Sequence, residues 1–172
     1  MRRGRILGAA ALVVALGFCG TGAWTYAQAR TDEDLAFSRE RDTALAEGRA
    51  RLTVLNSLDA STRERAEAGV RAWRDASTGP LRTELGRTAP AVGASARATV
   101  TEAALTALDA RAGTAKLIAT VRVDVTPRGG SAASTDRKRL EAVLTRTGEG
   151  TWRVAALSAV PVAGAEESED DT

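Results

Sequence analysis

Residues 115–126, AKLIATVRVDVT, decide the fold. Leu117, Ala119, Val121, Val123 and Val125 alternate with Ile118, Thr120, Arg122, Asp124 and Thr126, the period of a strand with one buried and one wet face. A second alternation lies across a polar loop, PRGGSAAST at 127–135. There Leu140, Ala142 and Leu144 share a face of a strand over 139–146. Trp152, Val154, Ala156 and Val160 do the same over 151–162, and Gly148-Glu149-Gly150 makes the hairpin between the two. Upstream, 100–108 reads as a weaker strand, with 109–113 as the turn into the clear one. Four consecutive strands joined by short turns predict an antiparallel sheet.

The period changes before about Arg97. Asn56-Ser57-Leu58-Asp59 ends a first helix that begins at Thr31, an N-cap followed by Asp32, Glu33 and Asp34 in the first turn. Its apolar stripe is Phe37, Ala44, Leu45, Gly48, Leu52 and Leu55, and Arg39, Glu40, Arg41, Glu47, Arg49 and Arg51 fill the remaining faces as a solvated surface. Ser61 or Thr62 caps a second helix running to about Ser77, with Ala66, Val70 and Trp73 on one face. Ser77-Thr78-Gly79-Pro80-Leu81 breaks that helix and restarts it as a short third one carrying Leu81 and Leu85, Pro80 standing where a missing N–H costs nothing. Pro90 and Gly93 interrupt it, and a brief fourth turn follows. Helices first and strands afterwards predict an α+β domain with its helices on one face of the sheet.

Residues 6–26, ILGAAALVVALGFCGTGAWTY, have no charge and match the length of a transmembrane helix. Arg2, Arg3 and Arg5 precede this stretch, and Trp24 and Tyr26 close it, so the N-terminus is expected on the cytoplasmic side and the domain outside. Ala27-Gln28-Ala29 offers a rival reading as a signal-peptidase site, but apolar character persists well past Phe18, and retention as an anchor is preferred. Leu16-Gly17-Phe18-Cys19 fits a lipobox poorly. Ala11, Ala15, Cys19 and Ala23 form a strip of small residues, although Ala is common throughout. The domain organisation is a basic start at 1–5, the span at 6–26, the α+β domain at 31–162 and an acidic, solvated tail at 163–172.

Composition narrows the chemistry. Aromatic residues make up 3% of 172, so Ala, Leu and Val must build the core, with Trp73 and Trp152 as its bulky centres. The chain has no histidine, and its one cysteine, Cys19, lies in the span. A Cys/His metal site, a histidine-dependent triad and a disulfide within the domain are therefore excluded within one chain. A net charge of +2, with basic and acidic residues interleaved, gives no reason to expect a nucleic-acid partner. No catalytic, cofactor-binding or metal-binding residue is assigned.

Several pieces taken together are suggestive: the basic start, the single span, Leu55-Asn56-Ser57-Leu58-Asp59, Trp73 with Ser77-Thr78-Gly79-Pro80-Leu81, Ala112-Gly113-Thr114-Ala115, and Trp152-Arg153-Val154 followed by Val160-Pro161-Val162. They resemble the Mce-associated membrane proteins of actinobacteria. The resemblance implies an NTF2-like (cystatin-like) extracytoplasmic domain, with three to four helices on a curved antiparallel four-stranded sheet. It also implies a non-enzymatic accessory role in lipid or sterol transport, exercised by docking on other membrane proteins such as Mce transporter subunits. Such an anchored domain is also similar to VirB8-like secretion components. A lipid- or sterol-binding module is a further alternative, in which Val123, Leu144, Trp152 and Val154 would border a cavity rather than touch Leu52 and Trp73. The fold also resembles ketosteroid isomerase and polyketide cyclases, which require a carboxylate base and hydrogen-bond donors. Asp109 and Asp124 are the carboxylates to consider, but the first reads as a turn residue and the second as part of the polar strand face. The only tyrosine, Tyr26, stands at the membrane boundary.

Overall fold

The computed structural model describes residues 25–26, 32–129 and 131–160. The chain divides into two units, Met1–Glu40 and Arg41–Thr172. In the first, Thr25, Tyr26 and residues 32–40 are helical, while Thr31 and the rest of the expected span lie outside the described residues. No helix among the described residues is long and apolar enough to cross a membrane.

The second unit is an α+β fold with three helices and a curved four-stranded antiparallel sheet. The helices are α1 (residues 41–55), α2 (Arg63–Ala76) and α3 (Gly79–Leu85). The strands β1 (Ser95–Asp109), β2 (Thr114–Thr126), β3 (Ser134–Arg146) and β4 (Trp152–Ala159) pair as a meander in chain order. Residues 91–94 run straight into β1, so the expected fourth turn is absent. Thr62 caps α2 through its hydroxyl, which accepts from the Arg65 N–H, and Pro80 stands in the first turn of α3.

The core lies between α1 and the sheet. Ala44 and Leu52 join Leu117, Val121, Ala142, Leu144, Trp152 and Val154 in one buried cluster. α1 approaches closely because residue 48 is glycine: a Cβ there would stand 2.8 Å from Leu144 Cδ1 and 3.0 Å from Leu117 Cδ2. Phe37, expected in the same stripe, belongs to the first unit and is 47% exposed. Trp152 is fully buried at the centre. Trp73 has a different role. It is half-buried, and its Nε1 donates to the carbonyls of Ser57 (2.8 Å), just past the end of α1, and Val54 (3.0 Å), which also accepts the Ser57 N–H (3.1 Å).

β1 read weakly in the sequence because it carries two bulges, one at Thr101 and one at Thr106. Each extra residue reverses the side-chain phase, so the inward set runs Ala98, Val100, Ala103, Leu105, Leu108 rather than at every second position. Both bulged threonines donate to carbonyls of the neighbouring strand, Thr101 to Thr120 (3.1 Å) and Thr106 to Lys116 (3.4 Å). A third bulge at Ala155 does the same to β4. Leu157 therefore packs against the core, and Ala156, expected to face inward, is exposed.

Side chains of α1 reach both edges of the sheet, and this corrects the reading of its charged series as a merely solvated face. Glu47 Oε2 accepts the N–H of Trp152 (2.6 Å), and Arg51 Nε, one turn on, donates to the Trp152 carbonyl (3.4 Å). The two side chains pair with the backbone of Trp152, and further along β4 the chain after α2 takes over, Ser77 forming a parallel bridge with Val154 in which Thr78 N–H donates to the Val154 carbonyl (2.9 Å). At the opposite edge Leu58 forms a two-bond bridge with Ala96, Ser57 Oγ accepts from Ala98 N–H, and Arg49 donates to the Val100 carbonyl. Exposed edge groups invite pairing with other chains, and this arrangement blunts both edges.

Candidate functional site

Two concavities adjoin each other where the α1–α2 connection meets β1. The larger is an open groove of about 760 Å³ between α2 and β1, with Leu58, Ala68, Gly69, Ala72, Ala96 and Ala98 among its lining residues. Its apolar character comes from α2 placing small residues opposite the start of β1. Gly69 has no room for a side chain, since a Cβ would stand 2.5 Å from Leu58 Cδ1. Leu58 in turn is fixed by its bridge to Ala96, so groove and edge guard share one residue.

The smaller cleft, about 310 Å³, is polar and contains Asp59, Ser61, Arg65, Ser95, Arg97 and Asp124. Asp59 ties it together. Its Oδ1 accepts from the Ser61 N–H (3.0 Å) and hydroxyl (2.6 Å), and from the Ser95 hydroxyl (3.4 Å). Its Oδ2 accepts from Arg65 Nη1 at 2.9 Å. These donors, the Ser61 hydroxyl foremost, draw its pKa down to about 2. Asp124 stands opposite Arg97 in the β1–β2 register. It accepts from the Thr135 hydroxyl (2.7 Å) and from Arg122 (3.1 Å). The Thr135 hydroxyl first, and then Arg122 and Arg97, hold its carboxyl below the ordinary range.

This corner is charge-matched. Both carboxylates are ionised at neutral pH and already accept hydrogen bonds, so they are weak bases with no proton to give, the reverse of what general acid–base work requires. Asp109 is elsewhere. It closes the β1–β2 turn by accepting from the N–H groups of Arg111 (3.0 Å) and Ala112 (2.8 Å), while Gly113 supplies the positive φ of 63°. Ten positions along β2 separate Asp124 from Thr114, the partner of Asp109, roughly 33 Å at strand rise, so the two weighed carboxylates do not converge. Tyr26 belongs to the first unit and is exposed. Among the described residues no group of three or more His, Cys, Asp or Glu is placed to hold a metal ion.

Sequence reading missed Asp59, Arg65 and Arg97. Asp59 and Ser61 had a visible signal, an Asp two residues before a Ser at a helix start. The meeting of Arg97 with Asp124 depends on register and had none.

No family model and no curated protein sequence matches the chain. Several solved structures are similar in chain path. An Ntf2-like protein involved in plasmid conjugation matches over 74% of this chain at 13% identity and a TM-score of 0.48. This chain spans about half of that one, 52%. CagV, a VirB8 homologue of the Helicobacter pylori T4SS, matches over 68% of this chain and 98% of its own, at 8% identity and a TM-score of 0.49. TraE, solved in complex with 2-(2-furyl)isonicotinic acid, matches over 66% and 90%, at 12% identity and a TM-score of 0.45.

Proposed function

We propose that the chain is a non-enzymatic, membrane-anchored NTF2-like docking component that works by contact with other membrane proteins. The carrying observation is the open groove between α2 and β1, lined by Leu58, Ala68, Gly69, Ala72, Ala96 and Ala98, on a domain with one buried apolar cluster. Small side chains along α2 and a guarded strand edge leave a surface that a partner's apolar side chains can enter without pairing to the sheet. The two carboxylates beside the groove serve as hydrogen-bond acceptors, which supports docking over turnover.

A lipid- or sterol-binding interior has less in its favour. Val123, Leu144, Trp152 and Val154 lie in one buried cluster with Leu52, the arrangement expected of a close-packed core rather than of a cavity lining. VirB8-like secretion or conjugation machinery is placed ahead of an Mce-type transport assembly. The order follows the names of the similar structures and sets which partners are sought first.

A photo-crosslinking residue at Ala72, on the groove wall, tests the reading in the native membrane. Secretion or transporter subunits captured from that position and lost from a control position on α3 support it. Capture of lipid alone, or turnover of a steroid that vanishes in Asp124→Asn, would end it.

A further inference from the structure

The break between α2 and α3 opens a cleft that neither the groove nor the Asp59 corner includes. It measures about 400 Å³ and is walled by Arg71, Arg74 and Asp75 of α2 and by Arg82, Thr83 and Gly86 of α3 and its end. Arg71 and Arg74 are three apart in a helix and so share a face. Ser77 leaves the helix in extended geometry, and α3 then brings Arg82 to the same concavity. Arg82 is fixed there. Its Nη1 donates to the Arg74 carbonyl at 2.9 Å, joining the Ser77 N–H (3.3 Å) and hydroxyl (3.1 Å) in capping the end of α2. Its Nη2 stands 3.9 Å from Asp75 Oδ1, so the one carboxylate of the cleft is beside it.

Helix capping accounts for Arg82, but not for the other two arginines. Among the described residues the side chains of Arg71 and Arg74 make no hydrogen bond or ion pair. Glu67, one turn before Arg71, is taken by Arg63 at 3.1 Å, and neither Glu64 nor Glu84 lines the cleft. A basic residue in the last turn is favoured by the helix dipole, which explains Arg74 alone. It does not explain the pair, because like charges that neighbour each other on a helix repel. Three guanidinium groups against one carboxylate leave two positive charges in excess. Guanidinium groups present paired N–H donors that match the oxygens of a phosphoryl group, and a phosphate monoester carries about two negative charges at neutral pH. Charge and donor geometry therefore call for the same ligand.

We propose that the cleft between α2 and α3 binds a phosphoryl group, with Arg71 and Arg74 donating to its oxygens and Arg82 adding charge from its fixed position. Free phosphate and the phosphate of a lipid headgroup share this chemistry. The cleft is open to solvent, so binding is salt-sensitive, with a Kd on the order of millimolar. The site does not depend on the docking role of the groove, and its test needs no protein partner.

The test uses the full chain in detergent micelles at constant ionic strength. Replacing chloride with about 10 mM inorganic phosphate is expected to raise the melting temperature by about 3–6 °C, with saturation. Arg71→Gln with Arg74→Gln removes the rise and leaves the melting temperature in chloride close to that of the parent, since neither side chain has a partner in the fold. Asp75→Asn takes the negative charge out of the cleft and tightens phosphate binding by about two- to fivefold, a gain that misfolding does not produce. Phosphatidic acid doped into the micelles separates the two sources. A rise without added phosphate, lost in the double-Gln chain, assigns the site to a headgroup; a response to inorganic phosphate alone assigns it to the free anion. No rise with either ligand, or a rise that persists in the double-Gln chain, overturns the proposal. Should the double-Gln chain fail to fold, unchanged affinity in Asp75→Asn overturns it as well.

Discussion

Gly48 is where the helix layer and the sheet come closest, and substituting it sets two effects of known sign against each other. An alanine in a helix interior favours folding by about 1 kcal/mol over glycine. At position 48, however, the new Cβ would lie 2.8 Å from Leu144 Cδ1 and 3.0 Å from Leu117 Cδ2, well inside the 3.5–4.0 Å of an ordinary carbon contact. Leu144 and Leu117 are fully buried, so neither methyl can swing into solvent. Overpacking of this kind costs about 1–3 kcal/mol, which leaves Gly48→Ala net destabilising by up to about 2 kcal/mol. Gly48→Val should lose more, since it adds two γ-carbons and lowers the helix propensity. Urea unfolding of the full chain in micelles, followed by tryptophan fluorescence, measures both. Combining Gly48→Ala with Leu144→Ala should recover about 0.5–3 kcal/mol relative to the sum of the single changes, because the second change removes the atom in the way. A Gly48→Ala protein about 1 kcal/mol more stable than the parent, or strict additivity with Leu144→Ala, would refute the tight helix–sheet contact.

Glu47→Ala should cost about 1–3 kcal/mol by urea unfolding, because the Trp152 N–H loses its 2.6 Å acceptor at the edge of β4. Trp73→Phe keeps most of the ring but removes the donor to Val54 and Ser57. A loss of about 0.5–1.5 kcal/mol with faster amide exchange at the end of α1 is expected. The two depressed carboxylates set an acid limit. A carboxylate whose folded pKa lies below its unfolded value contributes stability that is present above the unfolded pKa and lost as pH falls through the folded one. For Asp59 that window runs from 3.8 down to about 2, and Asp124 acts in the same direction. Thermal melts between pH 5 and pH 2 should show a shallower decline in Asp59→Asn with Asp124→Asn than in the parent. An unchanged slope would mean that their hydrogen bonds do not hold in solution.

The amino-acid sequence by itself determined the class of fold, because periodicity is local. The alternation through 115–126 marked β2 to within one residue of Thr114–Thr126, and Thr62, Pro80 and Gly150 marked a cap, a restart and a hairpin through their own backbone preferences. It excluded histidine and cysteine chemistry in the domain through composition alone. Tertiary structure decided whatever depends on what lies across from a residue. The bulges at Thr101, Thr106 and Ala155 are visible only in the pairing, and each moves the inward face by one position, so Leu157 and not Ala156 completes the core. The same holds for Glu47, Arg49 and Arg51, whose charges suggested solvent but whose partners are strand edges 51 to 105 residues away in the chain. Asp124 was legible as a polar-face residue, but its meeting with Arg97, and the Asp59 corner beside it, were not. A side chain's partner is set by register and by the path of the chain, and neither leaves a mark at the residue itself.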